Sequence, residues 1–143
     1  MSFTGDRLRA ALAAEHAALF AYGRLGVLLD APGKTEAHAA EVAHRARRDA
    51  LIVLLDQAKA SPVPADPAYA LPFPIPDKPS ALRLAVHVED GVAATWRSAL
   101  ASTEGEARRI ALEGYADAAV RATRWRKAAG VTPLTSTFPG RLG

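Results

Sequence analysis

The sequence predicts an all-α fold, a four-helix bundle in one domain spanning residues 1–143. Three observations carry this. Of 143 residues, 33 are alanine and half are hydrophobic, while only 6% are aromatic; small side chains filling a core favour helices whose backbones approach closely. Apolar residues recur at three-then-four spacing in four long stretches, the period of a helix with one buried face. Seven prolines crowd residues 61–79, where no helix survives, and this segment divides the helices two and two.

The first helix is expected over about residues 4–30, with Thr4 as cap and Phe3 and Leu8 as a hydrophobic staple. Ala31-Pro32-Gly33 is read as its stop, and Thr35 as the cap of a second helix running to about residue 60. The third follows Asp77-Lys78-Pro79-Ser80 over 80–101. The fourth, over 104–129, opens on Thr103-Glu104-Gly105-Glu106 as a capping box and closes at Gly130. An extended tail, 131–143, docks through Leu134 and Phe138. In polyproline geometry about 18 residues reach over 50 Å, more than the length of the second helix at 1.5 Å per residue. The crossover therefore runs the length of the bundle and makes the second and third helices parallel, an up-down-down-up order.

Ionisable residues interrupt the apolar stripes. The first helix reads Leu8, Leu12, Glu15, Leu19, Tyr22, Gly26, Leu29; the second Ala37, Glu41, His44, Arg48, Leu51, Leu55, with Arg47 alongside. The third reads Leu82, Val86, Glu89, Ala93, Trp96, Leu100, and the fourth Ala111, Tyr115, Ala118, Ala122, Trp125, with Glu113 at its margin. A buried carboxylate must be paired, protonated or bound to a cation. One reading is a buried polar network in which Glu15 pairs with Arg47 or Arg48 while Tyr22, His44 and Glu89 hydrogen-bond one another. The other is a metal centre. Glu41 and His44 share a helix face at i, i+3 and could ligate a metal together with Glu89 and Glu113, iron being the expected ion.

Five blocks of sequence, Glu15-His16-Ala17-Ala18, Ala21-Tyr22-Gly23, His44-Arg45-Ala46-Arg47-Arg48-Asp49, Tyr69-Ala70-Leu71-Pro72-Phe73-Pro74 and Arg121-Ala122-Thr123-Arg124-Trp125-Arg126, make the chain resemble the ferritin-like domain family of unknown function found in alanine-rich actinobacterial proteins. The resemblance covers nearly the whole chain. It implies a ferritin-like bundle and no assigned activity. Ferritin itself is a remote analogy: its ligand pattern is met by Glu41 and His44 on the second helix and by Glu89 on the third. It fails on the fourth, where Glu113-Gly114-Tyr115-Ala116 has alanine in place of histidine. Folding the first two helices about Gly33 puts Tyr22 level with His44 and Glu15 level with Leu51, which leaves Glu15 outside any cluster with Glu41.

The remaining features exclude more than they suggest. With no cysteine there is no disulfide scaffold and no thiolate chemistry. No serine-histidine-acid constellation and no phosphate-binding glycine loop is present. His16, His38 and His87 read as surface groups. A net charge of +3 is modest, and its one local concentration, Arg121, Arg124, Arg126 and Lys127, suits a helix C-terminus better than a nucleic-acid surface. Neither a membrane span nor a signal segment is apparent, so a cytoplasmic protein is expected. The leading functional expectation is a non-enzymatic bundle without cofactor that acts by association as a homodimer. Iron-dependent redox or storage and weak nucleic-acid binding are the alternatives.

Overall fold

The computed structural model describes residues 3–141. Four long helices, α1 (Phe3–Leu25), α2 (Ala31–Gln57), α3 (Lys78–Leu100) and α4 (Gly105–Ala129), pack around a shared interior, with no strand among the described residues.

The hairpin between α1 and α2 is tighter than the sequence suggests. α1 ends at Leu25 in a short 3-10 turn, Gly26–Leu28, and the chain reverses at Leu29 and Asp30. Asp30, not Thr35, caps α2, its carboxylate accepting from the Gly33 backbone amide at 2.9 Å. Ala31-Pro32-Gly33 therefore opens a helix instead of stopping one. Proline in the first turn has no amide that needs a partner, so it favours a start as readily as it breaks an interior. Folding at Leu29 and Asp30 instead of at Gly33 shifts the part of α1 level with His44 from Tyr22 towards Glu15.

Asp77 and Ser80 form a reciprocal capping box that starts α3, and Lys78 donates to Asp30 at 2.6 Å, tying the starts of α2 and α3 together. No capping box opens α4. Glu104 is its N-cap without a side-chain bond, and the Thr103 hydroxyl instead donates back to the Ala99 carbonyl at 2.9 Å. Thr4 lies inside the first turn of α1 and donates to the Ser102 carbonyl, joining that turn to the α3–α4 loop. The side chain of Phe3, and with it the expected staple, lies outside the described residues. Gly130 does end α4, in the left-handed conformation at φ 70° that a side chain would resist.

The proline-rich segment runs beside α1 in the same direction. Arg9 donates to the Ser61 carbonyl at 2.7 Å, His16 to that of Val63 at 2.9 Å, and the Phe20 and Tyr69 rings lie 5.5 Å apart. Leu71, Phe73 and Ile75 then pack on the core near the start of α3. α2 and α3 thus both run opposite to α1, and α4 runs with it. The tail docks differently from expectation. Phe138 is 53% exposed and Leu134 37%, whereas Tyr115 donates to the Pro139 carbonyl at 2.6 Å and Gly140 lies so close to the Ala93 backbone that a Cβ there would sit 2.8 Å from it.

Apolar side chains fill both ends of the interior. Leu8, Leu12, Leu51, Leu55, Trp96 and Ile110 form one cluster; Leu25, Leu29, Leu82, Leu84 and Trp125 belong to the other. Between them lies a polar layer. The helices are not evenly apposed around it: α3 packs tightly on α4 and α1, while α2 and α4 diverge and leave a groove of about 490 Å³.

Candidate functional site: a buried polar centre

His44 is the hub of the polar layer. Its Nδ1 is 2.5 Å from Glu15 Oε2 and its Nε2 is 2.7 Å from Glu89 Oε1. Since a carboxylate oxygen only accepts, both ring nitrogens donate and the ring is an imidazolium. Burial alone would push its proton off, but the hydrogen bonds to Glu15 and Glu89, with their charges, outweigh that and raise the pKa to about 9. All three side chains are buried.

Aromatic donors close the network above and below. Trp96 Nε1 donates to Glu15 Oε1 at 3.0 Å. The Tyr22 hydroxyl donates to Glu89 Oε1 at 2.6 Å and accepts from Trp125 Nε1 at 2.8 Å. Burial, and then the adjacent Glu89 charge, push the Tyr22 hydroxyl well above its ordinary pKa, so it stays a donor. Arg121 supplies the second positive charge, with Nη1 3.9 Å from Glu89 Oε1 and 2.8 Å from Asp117 Oδ2. Burial disfavours its charge, yet the bond to Asp117 and the field of Glu89 hold its pKa above the usual value. Two buried carboxylates are thus matched by two buried cations, the arrangement that makes burying ionised groups tolerable.

Glu15, Tyr22, His44 and Glu89 meet in one layer; Arg47 and Arg48 do not join them. Arg47 reaches Glu113 at 3.8 Å and Asp117 at 3.7 Å across the α2–α4 groove, and Arg48 pairs with Asp49 at 2.9 Å. Glu15 is held by His44 and Trp96 instead, because the tight hairpin moves His44 towards it. Of the four residues considered as metal ligands, His44 and Glu89 touch. Glu41, partly exposed, pairs with Arg45 at 2.9 Å, and Glu113, half exposed, pairs with Arg109 at 2.6 Å. The imidazolium stands between Glu15 and Glu89, so the two carboxylates face its opposite nitrogens and share no point at which an ion could sit. Among the described residues, no group of three or more His, Asp or Glu is arranged to hold a metal ion.

Three members of the centre are not singled out by the sequence. Trp96 and Trp125 lie on the apolar stripes, and their signal is the buried indole N–H, which ordinarily seeks an acceptor. Arg121 belongs by sequence to the basic end of α4, yet with Ala118, Ala122 and Trp125 it makes an i, i+3, i+4, i+7 line that marks it as inward-facing. The other basic residues disperse around the helix: Arg126 pairs with Asp90, and Arg124 with Glu36 at 3.5 Å. His16 holds the crossover, while His38 and His87 are exposed. No described helix is long and apolar enough to cross a membrane.

No protein of curated function matches this chain. A solved structure is similar to it over 95% of this chain and 96% of its own, with 34% sequence identity and a TM-score of 0.86: a conserved hypothetical protein from Mycobacterium tuberculosis. The model of a domain of unknown function, DUF4439, matches residues 7–142. The chain belongs to the DUF4439 family of domains of unknown function.

Proposed function

We propose that the chain is a ferritin-like bundle, non-enzymatic and cytoplasmic, that works by association as a homodimer and carries a charge-balanced polar network where a ferritin holds metal. The observation that carries this is His44, both of whose nitrogens are taken by carboxylates. An imidazolium offers a metal no lone pair, and metal binding would have to displace its protons. Arg121 beside Glu89 completes the charge balance, so the layer needs no cofactor. The chain directions and the long crossover support the ferritin-like description, and the mycobacterial relative supports an actinobacterial origin. Exposed Val42, Ile52 and Val53 on α2 and Leu112 and Val120 on α4 support association.

Iron chemistry is the second reading, favoured by the meeting of Glu15, His44 and Glu89 from three helices in one layer. Nucleic-acid binding ranks last, since Arg121, Arg124 and Arg126 each pair with a separate acidic residue.

Elemental analysis of protein purified without chelator or affinity-tag metal, followed by anaerobic ferrous titration and admission of air, tests the proposal. The expected result is metal-free protein that leaves iron unoxidised and sediments as a dimer. Stoichiometric iron that disappears in His44→Ala with helical content intact would replace this reading with the iron one. A strict monomer would remove the homodimer.

A further inference from the structure

Two buried polar side-chain atoms of the centre have no hydrogen-bond partner among the described residues: Oε2 of Glu89 and Nε of Arg121. They belong to neighbouring side chains, with Arg121 Nη1 3.9 Å from Glu89 Oε1, and the two residues are 0% and 6% exposed. One atom accepts and the other donates. Leaving such groups unsatisfied is costly, and native interiors resolve it with an ordered molecule that makes two to four hydrogen bonds.

We propose that a single water molecule bridges Glu89 Oε2 and Arg121 Nε, and that it is reached through the seam between α2 and α4. Charge selects the ligand class. A cation here would lie against a guanidinium and an anion against a carboxylate, whereas a small neutral molecule that donates and accepts answers both orphaned atoms. The fold selects the route. The groove between α2 and α4 is lined by Ala43, Arg47 and Glu113, and Ala43 adjoins His44. Arg47 spans the seam at 3.7–3.8 Å, too far for a good hydrogen bond. One of its two partners, Asp117, is also the residue that grips Arg121, so a line of polar groups runs from the groove through Asp117 and Arg121 to Glu89.

The inference rests on the network geometry that the metal-free reading also uses, yet the two fail separately: metal-free protein without this water overturns the inference alone, whereas iron on Glu89 overturns both. A high-resolution crystal structure of the full chain should show a water within about 2.7–3.2 Å of both atoms. Nitrogen-15-edited NOE spectra should show a cross-peak between the Arg121 Nε–H and a long-lived water. Arg47→Ala, which widens the seam, should speed exchange of that proton with solvent several-fold while Trp96 and Trp125 fluorescence stays unchanged. A direct bond from Arg121 Nε to Glu89 Oε2, or density belonging to an ion, overturns the water site. Unchanged exchange in Arg47→Ala overturns the route.

Discussion

His44 and Arg109 each stand between two carboxylates, and the two arrangements differ in almost everything else. His44 lies 2.5 Å from Glu15 and 2.7 Å from Glu89 in the interior, its neighbours drawn from α1 and α3. Arg109 pairs with Glu106 and, at 2.6 Å, with Glu113, all on the solvent face of α4. At the surface each member can exchange its partner for water, so the pairing is a local preference of one helix. In the interior water is not the alternative. Each member of the buried set stands only while the others do, and the set therefore fixes how three helices align.

The largest test of this difference is His44→Ala. It leaves Glu15 and Glu89 facing each other across a cavity without their shared cation, and removing one member of a buried ion pair typically costs about 3–5 kcal/mol. Urea unfolding followed by circular dichroism should show a loss of that size, a large share of a typical domain's stability. A loss no larger than that of an exposed substitution such as Arg45→Ala would mean the network does not organise the fold.

The same contrast can be drawn with pH. The folded-state pKa of His44 is raised to about 9, against roughly 6.5 for the unfolded chain. Below about pH 6.5 both states hold the proton and the full contribution is present. As pH rises towards 9 the unfolded chain gives up the proton while the folded one keeps it, so stability falls by up to about 1.4 kcal/mol per pH unit, on the order of 3 kcal/mol in all. Tyr22, raised above its ordinary value by burial, extends the loss to higher pH. Urea midpoints measured from pH 6 to pH 10 should decline in the wild type and flatten in His44→Ala; parallel curves would separate the alkaline loss from this histidine.

How much of this is legible in the sequence follows from the range of each signal. Helical periodicity and proline punctuation are local, so the four helices and the extended crossover can be read directly, and so can Glu15, Tyr22, His44 and Glu89 as inward-facing residues. The caps are ambiguous where one residue type serves two roles: Pro32 opens α2, and Thr103 bonds backwards to α3. That shift of the fold point is what hides the Glu15–His44 pair from the sequence, since partners across helices depend on register and register depends on the turn. Arg121 was hidden for another reason. Its composition says surface, and only the residues on either side of it along the helix face say otherwise.

Gly114→Ala is a sharper probe of the same layer, with a smaller expected effect. A Cβ at Gly114 would lie 2.8 Å from both Nε1 and Cε2 of Trp96, and Trp96 cannot swing aside without releasing Glu15, to which it donates at 3.0 Å. Overpacking of this kind costs about 1–3 kcal/mol. The readout beyond stability is Trp96 fluorescence, which should shift if the indole leaves its acceptor. An unshifted spectrum with a lowered unfolding temperature would place the strain in α4 instead.

Arg109→Ala should do least. It removes a cation that bonds two carboxylates, as His44→Ala does, and its charge is likewise favoured, here by the bonds to Glu106 and then Glu113. Yet Glu106 and Glu113 are left in water, and the alanine is itself the better helix former. No resolvable change in the urea midpoint is expected at physiological salt, with any small loss confined to low ionic strength, where exposed pairs are least screened. A substantial loss would mean that the lip of the α2–α4 groove holds the helices together. The seam would then be a closed joint under tension, and Arg47, which spans it at 3.7–3.8 Å, would be the next residue to replace.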